Sequence, residues 1–186
     1  MSHIPETSAV SDKTHRSTLH LPHRLRRLRR NTTIRSLVRE TRLSPDMLIY
    51  PLFVCEGQNI RREVPSMPEV FQLSVDETVK EALAAWEDGV LGVILFGLSE
   101  HRDETGSAAL DPEAPVQAAT RAIKQANPKC LVITDACLCE YTSHGHCGII
   151  NNEEIVNDAT VSQITRVALS QAESGADIIA PSDMMD

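Results

Sequence analysis

The chain has 186 residues, 41% of them hydrophobic and 24% charged, with a formal net charge of −8. That is globular composition with enough apolar content for one domain and its core, and it excludes a fibrous or wholly disordered chain. No apolar run approaches the ~20 residues of a membrane span, and the first residues lack the apolar block of a secretory signal.

Residues 1–33 read as a flexible tail followed by a basic arm. Positions 1–22 are polar without periodicity, and residues 23–30 carry five arginines. The first 62 residues hold 12 Lys and Arg against 5 Asp and Glu, whereas the remainder holds 6 against 21. A basic arm on an acidic body suits docking against its own or a neighbouring subunit. The acidic body and the absence of an aromatic stacking platform argue against nucleic acid as the partner. Ile34, Leu37 and Val38 predict a short helix ending near Thr41.

Residues 34–186 then read as regular α/β structure. The continuous apolar run 47–54 predicts a strand buried on both faces. Ser74, with Glu77 three residues on, predicts a capping box that opens a helix over 75–88, stopped by Gly89. A second strand is expected over 90–96, a polar loop over 97–111 and a helix over 115–126, closed by Asn127-Pro128. A third strand spans 130–134, with Asp135 at its C-terminal end. Asn157 or Asp158 is expected to cap a third helix, in which Ile164, Val167, Ala168 and Ala172 recur at helical spacing. A fourth strand covers 176–180. Buried strands alternating with helices predict a parallel sheet, either doubly wound or a barrel. No Gly-rich phosphate fingerprint follows the first strand, which lowers the dinucleotide-binding option. The long polar stretches 55–73, 97–111, 135–156 and 181–186 all follow strands, where a barrel carries its functional loops.

One of those loops concentrates chemistry. Cys137, Cys139 and Cys147 share eleven residues with His144 and His146. Three thiols are one ligand short of a closed structural zinc site, and an open position is what a catalytic metal needs. A redox dithiol is the second reading, although it favours Cys-x-x-Cys over the Cys-x-Cys present here. Idle thiols are the third. So dense a cluster argues against a spread disulfide framework and predicts a reducing, cytoplasmic setting. Asp135 beside the cysteines is a candidate acid/base. Ser182 and Asp183 hold the equivalent position after the fourth strand, with helix capping as the plain alternative. Asp103, Thr105, Gly106 and Ser107 form a turn-rich loop, read either as a mobile lid or as ordinary surface.

These segments resemble the porphobilinogen synthase (5-aminolevulinate dehydratase) family in its zinc-dependent type. The matching pieces are Arg35-Ser-Leu-Val-Arg-Glu-Thr41, Leu48-Ile-Tyr-Pro-Leu-Phe-Val54 with Glu56-Gly57, Ser66-Met-Pro68, Leu95-Phe-Gly97, and Asp103 with Gly106-Ser107. The signature Thr134-Asp-Ala-Cys-Leu-Cys-Glu-Tyr-Thr-Ser-His-Gly-His-Cys-Gly148 follows, then Asn157-Asp158 and Ala176-Asp-Ile-Ile-Ala-Pro-Ser-Asp-Met-Met-Asp186. The resemblance implies a (β/α)8 TIM barrel with an N-terminal arm that wraps a partner subunit in a homo-octamer. About the first four β/α units would be present here, so the chain is expected to be truncated near half the barrel.

The implied reaction condenses two 5-aminolevulinate molecules to porphobilinogen with loss of water, in tetrapyrrole (haem) biosynthesis. By the same resemblance, Cys137, Cys139 and Cys147 hold Zn2+; His146 is read only from its place beside Cys147, either as a contact to a metal ligand or an auxiliary metal position or, equally, as an ordinary solvated histidine. Asp135 and Ser182 line the active site. The family's two Schiff-base lysines lie on later strands. The lysines present are Lys13, Lys80, Lys124 and Lys129, and none is placed to serve. The chain alone is therefore expected to be inactive. The alternative is a non-catalytic zinc-binding or subunit-interaction remnant of that enzyme.

Overall fold

A computed structural model describes residues 26–186. The expected tail and the first arm residues lie outside these described residues. The described residues divide into two compact units, one ending at Arg42 and the other beginning at Leu43. In the first, a 3-10 turn (Arg27–Arg29) precedes the helix α1 (Thr32–Leu37). Asn31 caps α1 three residues before Ile34, accepting a hydrogen bond from the Ile34 N–H at 2.9 Å, and the helix stops at Leu37, short of the expected end near Thr41.

The second unit is built on one six-stranded sheet. Its strands are β1 (Ile49–Cys55), β2 (Arg61–Glu63), β3 (Phe71–Ser74), β4 (Gly92–Leu98), β5 (Leu131–Ala136) and, after a small antiparallel hairpin β6 (Ile150–Asn151) and β7 (Glu154–Ile155), β8 (Ile178–Pro181). The sheet order is β2-β3-β1-β4-β5-β8. The strands β1, β4, β5 and β8 run parallel in sequence order, as adjacent neighbours. Between them lie α2 (Val75–Glu87), α3 (Pro115–Ala126) and α4 (Asn157–Glu173).

Strand period fixes what each face does. Leu52, Val54, Val93, Leu95 and Val132 point to one face, where they are buried with Ala82 of α2 and Val116, Ala119 and Ile123 of α3. Ala136 and Ile179 continue that face onto Ile164 and Val167 of α4. All three helices therefore cover the same side. The opposite side carries Phe53 stacked on Phe96 at 5.5 Å, both half-buried. A doubly wound sheet has helices on both faces. One-sided cover with sequential parallel strands is the winding of a barrel, and here the sheet is not closed.

Three expectations need correction. The stretch 55–73 is not all loop, since β2 and β3 lie inside it and β3 pairs in parallel with Phe53–Cys55. Pro51, which cannot donate to a ladder, lies outside that pairing. The capping box does not form. The Ser74 hydroxyl instead donates to Asp76 at 2.6 Å and accepts from the Ile60 N–H at 2.9 Å, and Glu77 pairs with Lys80. At α4 the capping position belongs to Val156, one residue before the expected pair. Asn157 is taken up by Asp186, whose N–H donates to its Oδ1 at 2.9 Å and whose carbonyl accepts from its Nδ2 at 2.8 Å.

Candidate metal centre at the C-terminal strand ends

The cysteine loop leaves β5 one residue after Asp135, and that exit is fixed from behind. Gln171 of α4 is 1% exposed. Its Oε1 accepts from the Thr134 hydroxyl and its Nε2 donates to the Asp135 carbonyl, both at 2.9 Å. The loop then folds on its own apolar residues. The N–H groups of Tyr141 and Thr142 both reach the Leu138 carbonyl at 2.9 Å, and Leu138 and Tyr141 are buried. Tyr141 needs Gly97 of β4 beneath it, because a Cβ there would lie 2.0 Å from the phenol oxygen.

The loop after β4 is stitched to this one. The Asp103 N–H donates to the Tyr141 carbonyl at 3.2 Å, and the Ser143 N–H donates to the Asp103 carbonyl at 2.8 Å. The Asp103 carboxylate gathers its own loop by accepting from the Thr105 N–H (2.9 Å), the Thr105 hydroxyl (3.1 Å), the Ser107 N–H (3.1 Å) and the Ser107 hydroxyl. Asp103 thus bonds to the cysteine loop through both its backbone N–H and its carbonyl.

Within this frame the sulfurs of Cys137, Cys139 and Cys147 all lie within 4.8 Å of one another, and Cys137 and Cys139 are 3.3 Å apart. A turn brings them together, since β5 has already ended at Ala136. Burial pushes the Cys137 thiol up to about 11 and raises the Cys139 thiol further, with Glu140 accepting its hydrogen bond at 3.1 Å. Thiols so placed stay protonated unless a cation takes the proton's place. Three converging soft donors fit a borderline or soft metal ion, zinc among them. A second group of possible ligands, Asp135, Cys137 and Glu140, shares Cys137 with the first.

Asp135 lies on β5 opposite Ala180 of β8, two residues before Ser182. Burial raises the Asp135 carboxyl, the Ser182 hydroxyl lowers it by hydrogen bonding, and the charges of Glu140 and Asp183 raise it again. His146 is not among the clustered ligand atoms. Its Nδ1 accepts from the Gly148 N–H at 3.0 Å, and its own N–H donates to His144 Nδ1 at 3.1 Å. The lysines among the described residues lie elsewhere. Lys124 Nζ is held at the opposite strand ends by Asp177 (2.9 Å) and by the carbonyls of Pro128 and Cys130. Lys80 pairs with Glu77 on α2, and Lys129 precedes β5. Glu140 and Gln171 escaped the sequence reading. Gln171 had a signal, because it stands seven residues after Ile164, on the apolar stripe of α4.

A parallel α/β sheet of barrel winding, with a thiol centre at its C-terminal strand ends, defines the class. The chain belongs to the delta-aminolevulinic acid dehydratase family, whose pattern it matches over residues 22–186. It is 51% identical over 163 residues to the delta-aminolevulinic acid dehydratase of Methanothermus sociabilis, covering 88% of this chain and 51% of the relative. The Ruminiclostridium josui protein of the same name is 52% identical over 163 residues, with 88% and 80% covered. Among solved structures, the Toxoplasma gondii ME49 delta-aminolevulinic acid dehydratase (porphobilinogen synthase), in complex with the reaction product porphobilinogen, superimposes with a TM-score of 0.84 at 37% identity. The match covers 90% of this chain and 49% of that one. The chain thus spans about half the length of the Methanothermus and Toxoplasma proteins. No helix among the described residues is long and apolar enough to cross a membrane.

Proposed function

We propose that the chain contributes the zinc-bearing part of a porphobilinogen synthase active site, acting on 5-aminolevulinate within a homo-oligomer in the cytoplasm. The observation that carries this reading is the convergence of three thiol sulfurs within 4.8 Å, beside Asp135 at the C-terminal strand ends. Cys137, Cys139 and Cys147 would hold the Zn2+. A bound zinc supplies Lewis-acid polarisation of a substrate oxygen and acidifies its water. Asp135, at the end of β5, and Ser182, after β8, would flank that ion, with the carboxylate exchanging a proton with substrate. The apolar face around Phe53 and Phe96 would exclude water on one side.

A Schiff-base lysine must stand in the cleft, and Lys124 is committed to Asp177 at the far end of the strands. The amine is therefore supplied from outside residues 26–186. The same lysine placement favours the second reading, a non-catalytic zinc-binding or subunit-interaction chain.

Incubation with Zn2+ and 5-aminolevulinate, followed by borohydride reduction, separates the two. Stoichiometric zinc that disappears in Cys137→Ser is expected, with no pyrrole and no lysine adduct from the chain alone. Co-expression with the C-terminal part of the Methanothermus relative is expected to yield pyrrole that depends on Cys137. Zinc retention without any pyrrole in that experiment would establish the non-catalytic reading. Zinc binding indifferent to all three cysteines would sink both.

A further inference from the structure

The helix α4 holds the backbone of three segments that follow or end strands, each through one amide side chain. Asn157 bonds the N–H and the carbonyl of Asp186 after β8. Gln163 Nε2 donates to the Thr105 carbonyl after β4 at 3.2 Å. Gln171 Nε2 donates to the Asp135 carbonyl at 2.9 Å. The last of these acts nearest the candidate chemistry. Strand β4 pairs with β5 only as far as Thr134, and the next carbonyl along β5, that of Asp135, finds its donor in Gln171. With Nε2 committed to that carbonyl, Oε1 takes the Thr134 hydroxyl at 2.9 Å. Thr134 is fully buried and Gln171 is 1% exposed, so water does not stand in for either bond.

The peptide so gripped joins Asp135 to Ala136, and Cys137 follows. Successive side chains of a strand leave opposite faces, so Gln171 takes hold on the helix side while the Asp135 carboxylate stands on the other. An Asp135 oxygen lies within 4.8 Å of Cys137 Sγ. Rotation of that peptide moves the carboxylate on one side of it and the sulfur on the other, so their separation depends on its being held. We propose that Gln171 is a positioning residue, which fixes through the main chain where the Asp135 carboxylate and the Cys137 sulfur stand relative to each other. This rests on the metal-site reading above and adds to it a support from the far face of the sheet.

Three forms of the full chain test this: the unchanged chain, Gln171→Leu, and Gln171→Leu combined with Thr134→Val. Each is titrated with Co2+, following the sulfur-to-cobalt absorption for affinity and the ligand-field bands for geometry, and each is unfolded in urea. Gln171→Leu is expected to bind Co2+ about tenfold more weakly, with shifted ligand-field bands. The double variant should regain part of the stability, because no Thr134 hydroxyl is left stranded. It should still bind Co2+ as weakly as Gln171→Leu, because the Asp135 carbonyl remains unheld. Should Gln171→Leu lose its far-UV circular dichroism signal, Gln171→Met takes its place with the same expectations, since its unbranched side chain follows the path of the glutamine. Unchanged affinity and bands in the single variant overturn the proposal. Affinity that returns together with stability in the double variant also overturns it, because Gln171 then serves the fold alone. Absence of the sulfur-to-cobalt band from the unchanged chain would remove the thiol metal site itself, and this inference with it.

Discussion

Gln171 and Thr134 share a buried hydrogen bond of 2.9 Å that ties α4 to the strand carrying Asp135. The other end of the same amide holds the Asp135 carbonyl. Replacing Gln171 with Leu keeps the volume and strands both groups. An unsatisfied buried polar group costs about 1–3 kcal/mol, and a loss of that size is expected in urea unfolding. Thr134→Val combined with Gln171→Leu should recover part of it, because removing both partners of a hydrogen bond is cheaper than removing one.

Gly97 carries Tyr141 so closely that a methyl group there would lie 2.0 Å from the phenol oxygen and 2.8 Å from Val116 Cγ2. Gly97→Ala should therefore behave as an overpacking substitution, costing about 1–3 kcal/mol, and should weaken metal binding by displacing the loop. Tyr141→Phe removes the nearest clashing atom, so the double variant should regain stability relative to Gly97→Ala alone. Denaturation midpoints of the four proteins give the coupling.

Asp103 gives the loop pair a pH signature. Its carboxyl is held well below the usual carboxylate range, first by the Ser107 hydroxyl, then by the Ser107 N–H. A depressed folded value contributes stability above the unfolded value of about 4, which is lost as pH falls toward the folded one. Asp103→Asn should be less stable than the unchanged chain at pH 7, and the gap should shrink at pH 3. A constant gap between the two pH values would remove the carboxylate from the account.

Metal loading should release protons. Cys137 is raised to about 11 and Cys139 further, so both are thiols at neutral pH and thiolates once a metal binds. Zinc added to weakly buffered protein is expected to liberate at least about two protons per chain, and apparent affinity should strengthen from pH 6 to pH 9. An indicator-dye titration measures the first. Chelator competition at several pH values measures the second.

The long elements were legible in the residues because burial on both faces and helical period leave strong patterns. The parallel strands around 47–54, 90–96, 130–134 and 176–180 and the three helices follow from them, with ends displaced by a residue or two. The strands β2 and β3 were not legible. At three and four residues they are too short for a period to show. The hairpin of β6 and β7 turns on Asn152 and Glu153, both at positive φ, a conformation that Glu rarely signals. Ser74 misled because a hydroxyl at a helix start has several acceptors within reach, and here a neighbouring carboxylate won. At the centre, the cysteines announced themselves by density. Gln171 did not, because reading an apolar stripe passes over the polar residue that completes it.

The two edges of the main sheet are chemically unlike. On one side lies β2, three exposed residues, Arg61, Arg62 and Glu63, in an antiparallel pairing that ends the ladder with charge. Such an edge discourages addition of a further strand. On the other side β8 offers Ile178, Ile179 and Ala180 in parallel with β5, and Ile178 is 45% exposed. The sheet therefore has a direction of growth. A strand that extends it in parallel with β8 brings its own C-terminal end to the side of Ser182 and the cysteine loop.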